Sequence, residues 1–169
     1  MPHLDAAQRF ARWLSRSPGE AEDIVQEAFL RAFRGFDGLR GSDVKAWLLA
    51  IVRNCHATAY RQTQRRAQVP LPEGDDAQFD SATLAAVPDP EAASIAHDDA
   101  RRLEGLISAL SEEHREVLLL REMEEMSYRQ IAAVTQLPIG TVMSRLARAR
   151  AALKVQWRQE SAGEPHAVP

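Results

Sequence analysis

The stretch Ser127 to Lys154, SYRQIAAVTQLPIGTVMSRLARARAALK, sets the tightest limit on what this chain can fold into. Ser127 and Gln130 have the S-x-x-Q spacing of a capping box, in which each side chain satisfies a backbone donor at a helix start. Ile131 and Val134 fall on one face of a helix of about two turns. Leu137-Pro138 ends it, because proline turns the residue before it away from helical angles. A second helix restarts around Ile139 to Thr141, with Val142, Leu146, Ala149 and Leu153 on one stripe. At about 100° per residue, Thr141, Ser144, Arg145 and Arg148 collect on the opposite side. From Arg145 to Arg158 the chain has five basic residues and no acidic one. Such a helix suits the major groove of DNA; a solvated surface helix of an ordinary bundle is the alternative.

The net charge of −3 argues against a nucleic-acid partner until it is divided along the chain. Residues 1–66 hold eleven Lys/Arg against seven Asp/Glu, residues 67–100 hold none against eight, and residues 101–169 hold ten against nine. Two mildly basic blocks therefore flank an acidic connector. Residues 67–89 carry prolines and acids without sustained periodicity and read as a flexible linker. The one cysteine, Cys55, excludes an internal disulfide, and the five histidines have no metal-ligand spacing. No apolar run approaches the ~18 residues of a membrane span, and no signal sequence is visible at the N-terminus, so a soluble cytoplasmic chain without membrane insertion is expected.

Both blocks read as helical, and no segment alternates with period two. The expected class is all-α, with two small helical domains joined by the acidic linker. Leu4, Ala7, Phe10, Ala11 and Leu14 make a short amphipathic helix. Ser17-Pro18-Gly19-Glu20 then supplies an N-cap, a proline at the first helical position and a glutamate at the third. Ala21, Ile24, Val25, Ala28, Phe29, Ala32 and Phe33 follow as an unbroken stripe, stopped by Gly35 and Gly38. A third helix carries Val44, Trp47, Leu48, Ile51, Val52 and Cys55 on one side. Asp89-Pro90 can start a fourth, with Ile95, Leu103, Leu106, Ile107 and Leu110 as apolar candidates. Ser111-Glu112-Glu113 opens a fifth with acid in its first turn, where the helix dipole favours it. Residues after about Trp157 read as a frayed polar tail.

Two further faces invite partners. Opposite the stripe of the second helix lie Glu22, Asp23, Gln26, Glu27, Leu30, Arg31 and Arg34, which by periodicity alone suit a solvated face with a Glu27–Arg31 pair. The third helix ends in Arg53, Arg61, Arg65 and Arg66, interleaved with Asn54, His56, Tyr60, Gln62 and Gln64. That set fits phosphate contact and stacking on single-stranded DNA, or a cationic helix end complementing its dipole. No glycine-rich phosphate loop, metal site or catalytic triad is present, so neither catalysis nor a cofactor is expected.

The residues AEDIVQEAFLRAFRGF and KAWLLAIVRNCHATAYRQTQRR, followed by LSEEHREVLLLREMEEMSYRQIAAVTQLPIGTVMSRLARARAAL, resemble regions 2 and 4 of an extracytoplasmic-function sigma factor, a specificity subunit of bacterial RNA polymerase. The resemblance implies region 2 over 1–66, the linker over 67–89, region 4 over 90–158 and a polar tail over 159–169. It turns the polar face of the second helix into a polymerase-docking surface formed by Asp23, Gln26, Glu27 and Leu30. It assigns the loop Phe36 to Ser42 and Arg53, Asn54, His56, Tyr60 and Arg61 to the −10 promoter element. It assigns Thr141, Ser144, Arg145, Arg148 and Arg150 to the −35 element. Core RNA polymerase and promoter DNA are the implied partners, and an anti-sigma protein is a further one that many members have. The chain departs from the family in a short first helix, in Gln130 where glutamate is common, and in Glu125 where glycine is frequent. A stand-alone helix-turn-helix regulator and a pure adaptor protein are the competing readings.

Overall fold

The computed structural model describes residues 3–15, 17–38, 43–67 and 92–163. Among these residues it holds seven α-helices and no strand: α1 (Leu4–Leu14), α2 (Pro18–Gly35), α3 (Val44–Ala67), α4 (Ala92–Ala109), α5 (Glu112–Glu122), α6 (Tyr128–Thr135) and α7 (Ile139–Gly163). The expected linker beyond Ala67, the Asp89-Pro90 start, positions 39–42 of the loop and positions 164–169 lie outside the described residues.

Helix starts follow the local chemistry. Ser17 Oγ accepts from the Glu20 amide at 3.2 Å with Pro18 in the first turn. Asp43 Oδ1 accepts from the Ala46 amide at 2.9 Å and caps α3. At Ser127 the capping box is complete: Ser127 Oγ accepts from the Gln130 amide at 3.3 Å, and Gln130 Oε1 accepts from the Ser127 amide at 2.8 Å. Gln136 closes α6 in the left-handed region at φ 56°, and α7 begins just after Pro138. Glu125, before the box, also has a left-handed backbone at φ 54°. That explains why glycine, which adopts it freely, suits the position.

The first domain packs α1, α2 and α3 on one another, and the second packs α4, α5 and α6 around α7. The domains then close on each other through α3 against α6 and α1 against α5. One continuous cluster runs from Ala7, Phe10 and Ile24 through Leu49 and Val52 to Val117, Leu120, Ile131, Val142 and Leu146. Two consequences were not visible in the stripes. Leu49 lies off the expected stripe of α3 yet is wholly buried, because α3 is covered on more than one side. On α5, where the sequence turns Val117, Leu118 and Leu120 inward, Leu119 is buried as well, as the helix's place between α1 and α7 requires.

Two expectations are corrected. Phe33 continues the apolar stripe of α2 but is 84% exposed: it lies about 100° round the helix from buried Ala32, at the edge of the stripe, while Gly35 and Phe36 beyond it still meet Trp47 of α3. The tail expected after Trp157 remains helical to Gly163. There the Arg102 guanidinium stacks 4.5 Å from the Trp157 ring centroid and bonds Glu160 at 2.8 Å, tying α4 to the end of α7.

Candidate nucleic-acid interface

α7 is held by its apolar side. Val142, Leu146 and Ala149 are essentially inaccessible and Leu153 is half-buried, as the spacing predicts. Turning 180° from that stripe brings Gly140, Met143, Ser144, Ala147 and Arg148 into solvent. Arg148 makes no ion pair among the described residues. Arg145 and Arg150 flank this face and are engaged: Arg145 pairs with Glu113 at 2.9 Å with its side chain 19% exposed, and Arg150 with Glu122 at 2.6 Å. Thr141 is half-buried, and its carbonyl accepts from Ser144 Oγ at 3.0 Å. Of the four residues that periodicity turned outward, Ser144 and Arg148 are exposed, whereas Thr141 and Arg145 are half-buried, and nothing in the spacing hinted that Arg145 and Arg150 meet acids on α5. Nor did it single out Met143, exposed by half at the centre of the face.

On α2, Asp23, Gln26 and Leu30 are exposed, and Glu27 is half-buried and bonded to Arg31 at 2.7 Å. The four residues sit side by side on the face away from the core. Phe33 and Phe36 extend it with apolar surface, 84% and 58% exposed.

The −10 candidates on α3 divide. Asn54 and Arg61 are exposed, the latter donating to the Ala57 carbonyl at 2.9 Å. Tyr60 is half-buried, its ring 6.3 Å from that of His56. Arg53 and His56 point towards the second domain. Arg53 is paired with Glu116 of α5, and His56 Nδ1 lies 3.5 Å from Glu112 Oε1 with only 5% of the residue accessible. Together with Ala57, Glu113, Leu137 and Arg145 these groups line an open cleft of about 380 Å³ between the domains. Burial pushes the His56 imidazole below its ordinary value against the pull of Glu112. Burial likewise pushes the Glu116 carboxyl up, and the Arg53 charge opposes that. Both shifts follow from taking charge out of water. Of the loop Phe36 to Ser42, Phe36 to Gly38 form a 3-10 turn, with Phe36 edge-on to Trp47 at 6.4 Å. Cys55 is buried and burial raises its thiol pKa, so it behaves as a small apolar residue.

The domains are also joined away from the cleft. Glu124, with a side chain 2% exposed, receives Lys45 Nζ at 2.8 Å and Arg9 at 3.1 Å. Lys45 donates as well to the Glu124 carbonyl at 2.8 Å. Gln130 Nε2 donates to Asp43 Oδ2 at 2.7 Å, so one side chain closes the capping box and bridges to the cap of α3. Glutamate at this position could close the box but could not make that bridge. Among the described residues no group of acids, histidines and cysteine is arranged to hold a metal ion, and no helix is long and apolar enough to cross a membrane.

Comparison with known proteins agrees with this division. The sigma-70 region 2 model matches residues 1–66, and the sigma-70 region 4 model matches residues 100–153. The chain is 38% identical over 141 residues to the RNA polymerase sigma-H factor of Pseudomonas aeruginosa, covering 79% of this chain and 71% of that one. It is 36% identical over 145 residues to the ECF RNA polymerase sigma-E factor of Escherichia coli, covering 82% and 75%. The fold is similar to that of the sigma factor RpoE from Bartonella quintana, solved in complex with the anti-sigma factor NepR. The TM-score is 0.73 at 29% identity, over 92% of this chain and 91% of that one. CnrH, solved with the cytosolic domain of CnrY, shares the fold at a TM-score of 0.63 and 23% identity. Two domain matches in order, with relatives of this identity and coverage, establish that the chain belongs to the extracytoplasmic-function sigma factors of the sigma-70 family.

Proposed function

We propose that this sigma factor divides its work among three faces. The polar side of α2, with Asp23, Gln26, Glu27 and Leu30, docks core RNA polymerase. The basic end of α3, with Arg53, Asn54, His56, Tyr60 and Arg61, reads the opened −10 element together with the loop beginning at Phe36. The outward side of α7 reads the −35 element as duplex. Residues 1–66 and 90–158 are the two working domains, 67–89 their acidic connector and 159–169 a polar tail. The protein acts where polymerase and chromosome are, in the cytoplasm, and contributes specificity rather than catalysis. An anti-sigma protein is a fitting further partner, since the Bartonella relative was solved with one.

The observation that carries this reading is the contrast across α7, where a wholly buried stripe backs a solvent-facing row of small and hydroxyl residues ending in Arg148. Small side chains at 140, 144 and 147 let the helix sit deep in a groove. Met143 offers an apolar contact for thymine methyl groups, and Arg148 can donate two hydrogen bonds to a guanine edge. The geometry ranks Arg148 above Arg145, which must first leave Glu113. A stand-alone helix-turn-helix regulator would make no use of the region 2 domain.

The test is transcription by reconstituted polymerase over a panel of −35 variants. Arg148→Ala should relax preference at one defined base pair, a loss of about 1–3 kcal/mol in discrimination. Arg145→Ala should weaken all sequences more evenly. Unchanged strength and preference in both variants would remove α7 from the promoter.

A further inference from the structure

The outward face of α7 is short of free hydrogen-bond donors. Ser144 Oγ already donates to the Thr141 carbonyl at 3.0 Å, Arg145 is held by Glu113 and Arg150 by Glu122. Of these three arginines only Arg148 makes no ion pair among the described residues. Beside this polar row runs a second of different chemistry. Ile139, Met143 and Ala147 follow one another at i, i+4 and i+8, all exposed, the first two by 43% and 51%. A single exposed apolar side chain needs no explanation. Here two large ones stand one turn apart, on a helix whose other side buries Val142 and Leu146 completely.

Gly140 gives an independent sign. A Cβ placed there would meet nothing within 4 Å, and its φ lies outside the left-handed region. Neither packing nor backbone geometry within the chain therefore calls for glycine, which weakens a helix relative to alanine. The missing side chain leaves room for a ligand to come close to the helix, next to Ile139 and one turn before Met143 and Ser144. Apolar side chains brought that close suit one feature of the major groove. The C5-methyl group of thymine projects into it and is read by apolar contact. Ile139 and Met143 are about 6 Å apart along the axis at about 1.5 Å per residue. That is close to two steps of about 3.4 Å in a duplex.

We propose that Ile139 and Met143 read pyrimidine C5-methyl groups in the −35 element, at positions about two base pairs apart. Arg148 supplies the hydrogen-bonded contact further along the helix. The reading belongs to the methyl group and not to the base that bears it. A 5-methylcytosine presents its methyl at the same place, so it is preferred there over cytosine. Methylation of a promoter cytosine at C5 therefore strengthens a promoter that places it opposite Met143 or Ile139. This rests on the −35 assignment of α7 made above.

The test starts from the −35 element that assembled polymerase containing this chain selects from a randomised promoter library. Its thymines are replaced singly by deoxyuridine, which removes the methyl and keeps every hydrogen-bonding atom. One or two of these replacements should lower promoter binding about fourfold, the weight of one methyl-sized group taken out of water. At those positions 5-methylcytosine should bind about fourfold better than cytosine. Met143→Ala, an exposed change to a good helix former, should abolish both responses at one position, and Ile139→Ala at the other. The pairing of side chain with methyl is what such a cycle isolates. A selected element without thymine, indifference to deoxyuridine at every position, or equal responses in wild type and both variants overturns the proposal. If Met143→Ala weakens initiation from every promoter alike and the deoxyuridine responses persist, the row faces a protein partner and the proposal is also wrong. Failure of the underlying assignment reads out separately: wild-type polymerase would then select no −35 consensus from the library at all.

Discussion

Asp23, Gln26 and Leu30 on α2 face solvent, whereas Arg53 and His56, one helix further along, are covered by α5. Both faces belong to the same domain and both are polar over an apolar stripe. Their difference comes from residues about sixty positions away in the chain, which bring carboxylates to one face and nothing to the other. A polar helix face therefore declares that it seeks water or a partner, and the tertiary packing decides which. In this sigma factor the polar face of α2 stays open to solvent, and the polar end of α3 is met by carboxylates of α5.

The largest expected effect removes the cover altogether. Val142 is wholly buried in the shared cluster, and Val142→Asp places an unpaired carboxylate there. The second domain should lose at least about 4 kcal/mol, enough to unfold it. Urea titration followed by helicity measures this, while competition for core polymerase through α2 should survive. Loss of docking as well would show that the two faces are not separable.

Glu124→Ala should cost less, about 1–3 kcal/mol. It breaks a buried carboxylate pair, but Arg9 and Lys45 are themselves partly solvated, which reduces the loss. The closed form should open while both domains remain folded, as scattering and thermal melting would report.

A smaller, graded effect comes from pH. The His56 value is depressed by burial, with Glu112 and Glu20 favouring the charged imidazole and Arg115 opposing it. A depressed histidine stabilises closure above its ordinary value of about 6.5, and that stability is lost as pH falls through the depressed value. Glu116 runs the other way. Its raised carboxyl favours closure at low pH, and the benefit is lost as pH rises through its folded value. Domain separation measured against pH should show both arms in wild type, and His56→Gln should keep only the second. Identical profiles for the two proteins would mean that His56 is not masked by α5.

Asp23→Ala with Gln26→Ala has the smallest expected effect on the fold, within about 0.5 kcal/mol, because both are exposed. Affinity for core polymerase should fall nonetheless. A double variant that competes for polymerase as well as wild type would move the docking surface elsewhere.

Much of this architecture was legible from local chemistry. Ser17-Pro18 and the Ser127–Gln130 box fix helix starts by satisfying backbone donors, and the stripe Val142, Leu146, Ala149 is the buried side of α7. What escaped was long-range. Leu49, Glu116 and Glu124 are buried by partners on other helices, and no local spacing announces it. The run Glu116-Val117-Leu118-Leu119-Leu120 holds a hint, since an acid adjoining four buried residues must itself be near the core. Arg145 reads as free on a helical wheel, yet Glu113 holds it. Gln130, a departure from the family's usual glutamate, gains its meaning only when Asp43 is brought beside it.

Run-off transcription by core RNA polymerase from a promoter library, with and without this chain, tests the central claim most directly. Initiation should be confined to a set of promoters sharing −10 and −35 sequences, only when chain and core are both present, and the chain alone should bind those promoters weakly. If adding the chain leaves the choice of start sites as it is with core alone, or if the chain binds those promoters as tightly without polymerase, the account is wrong.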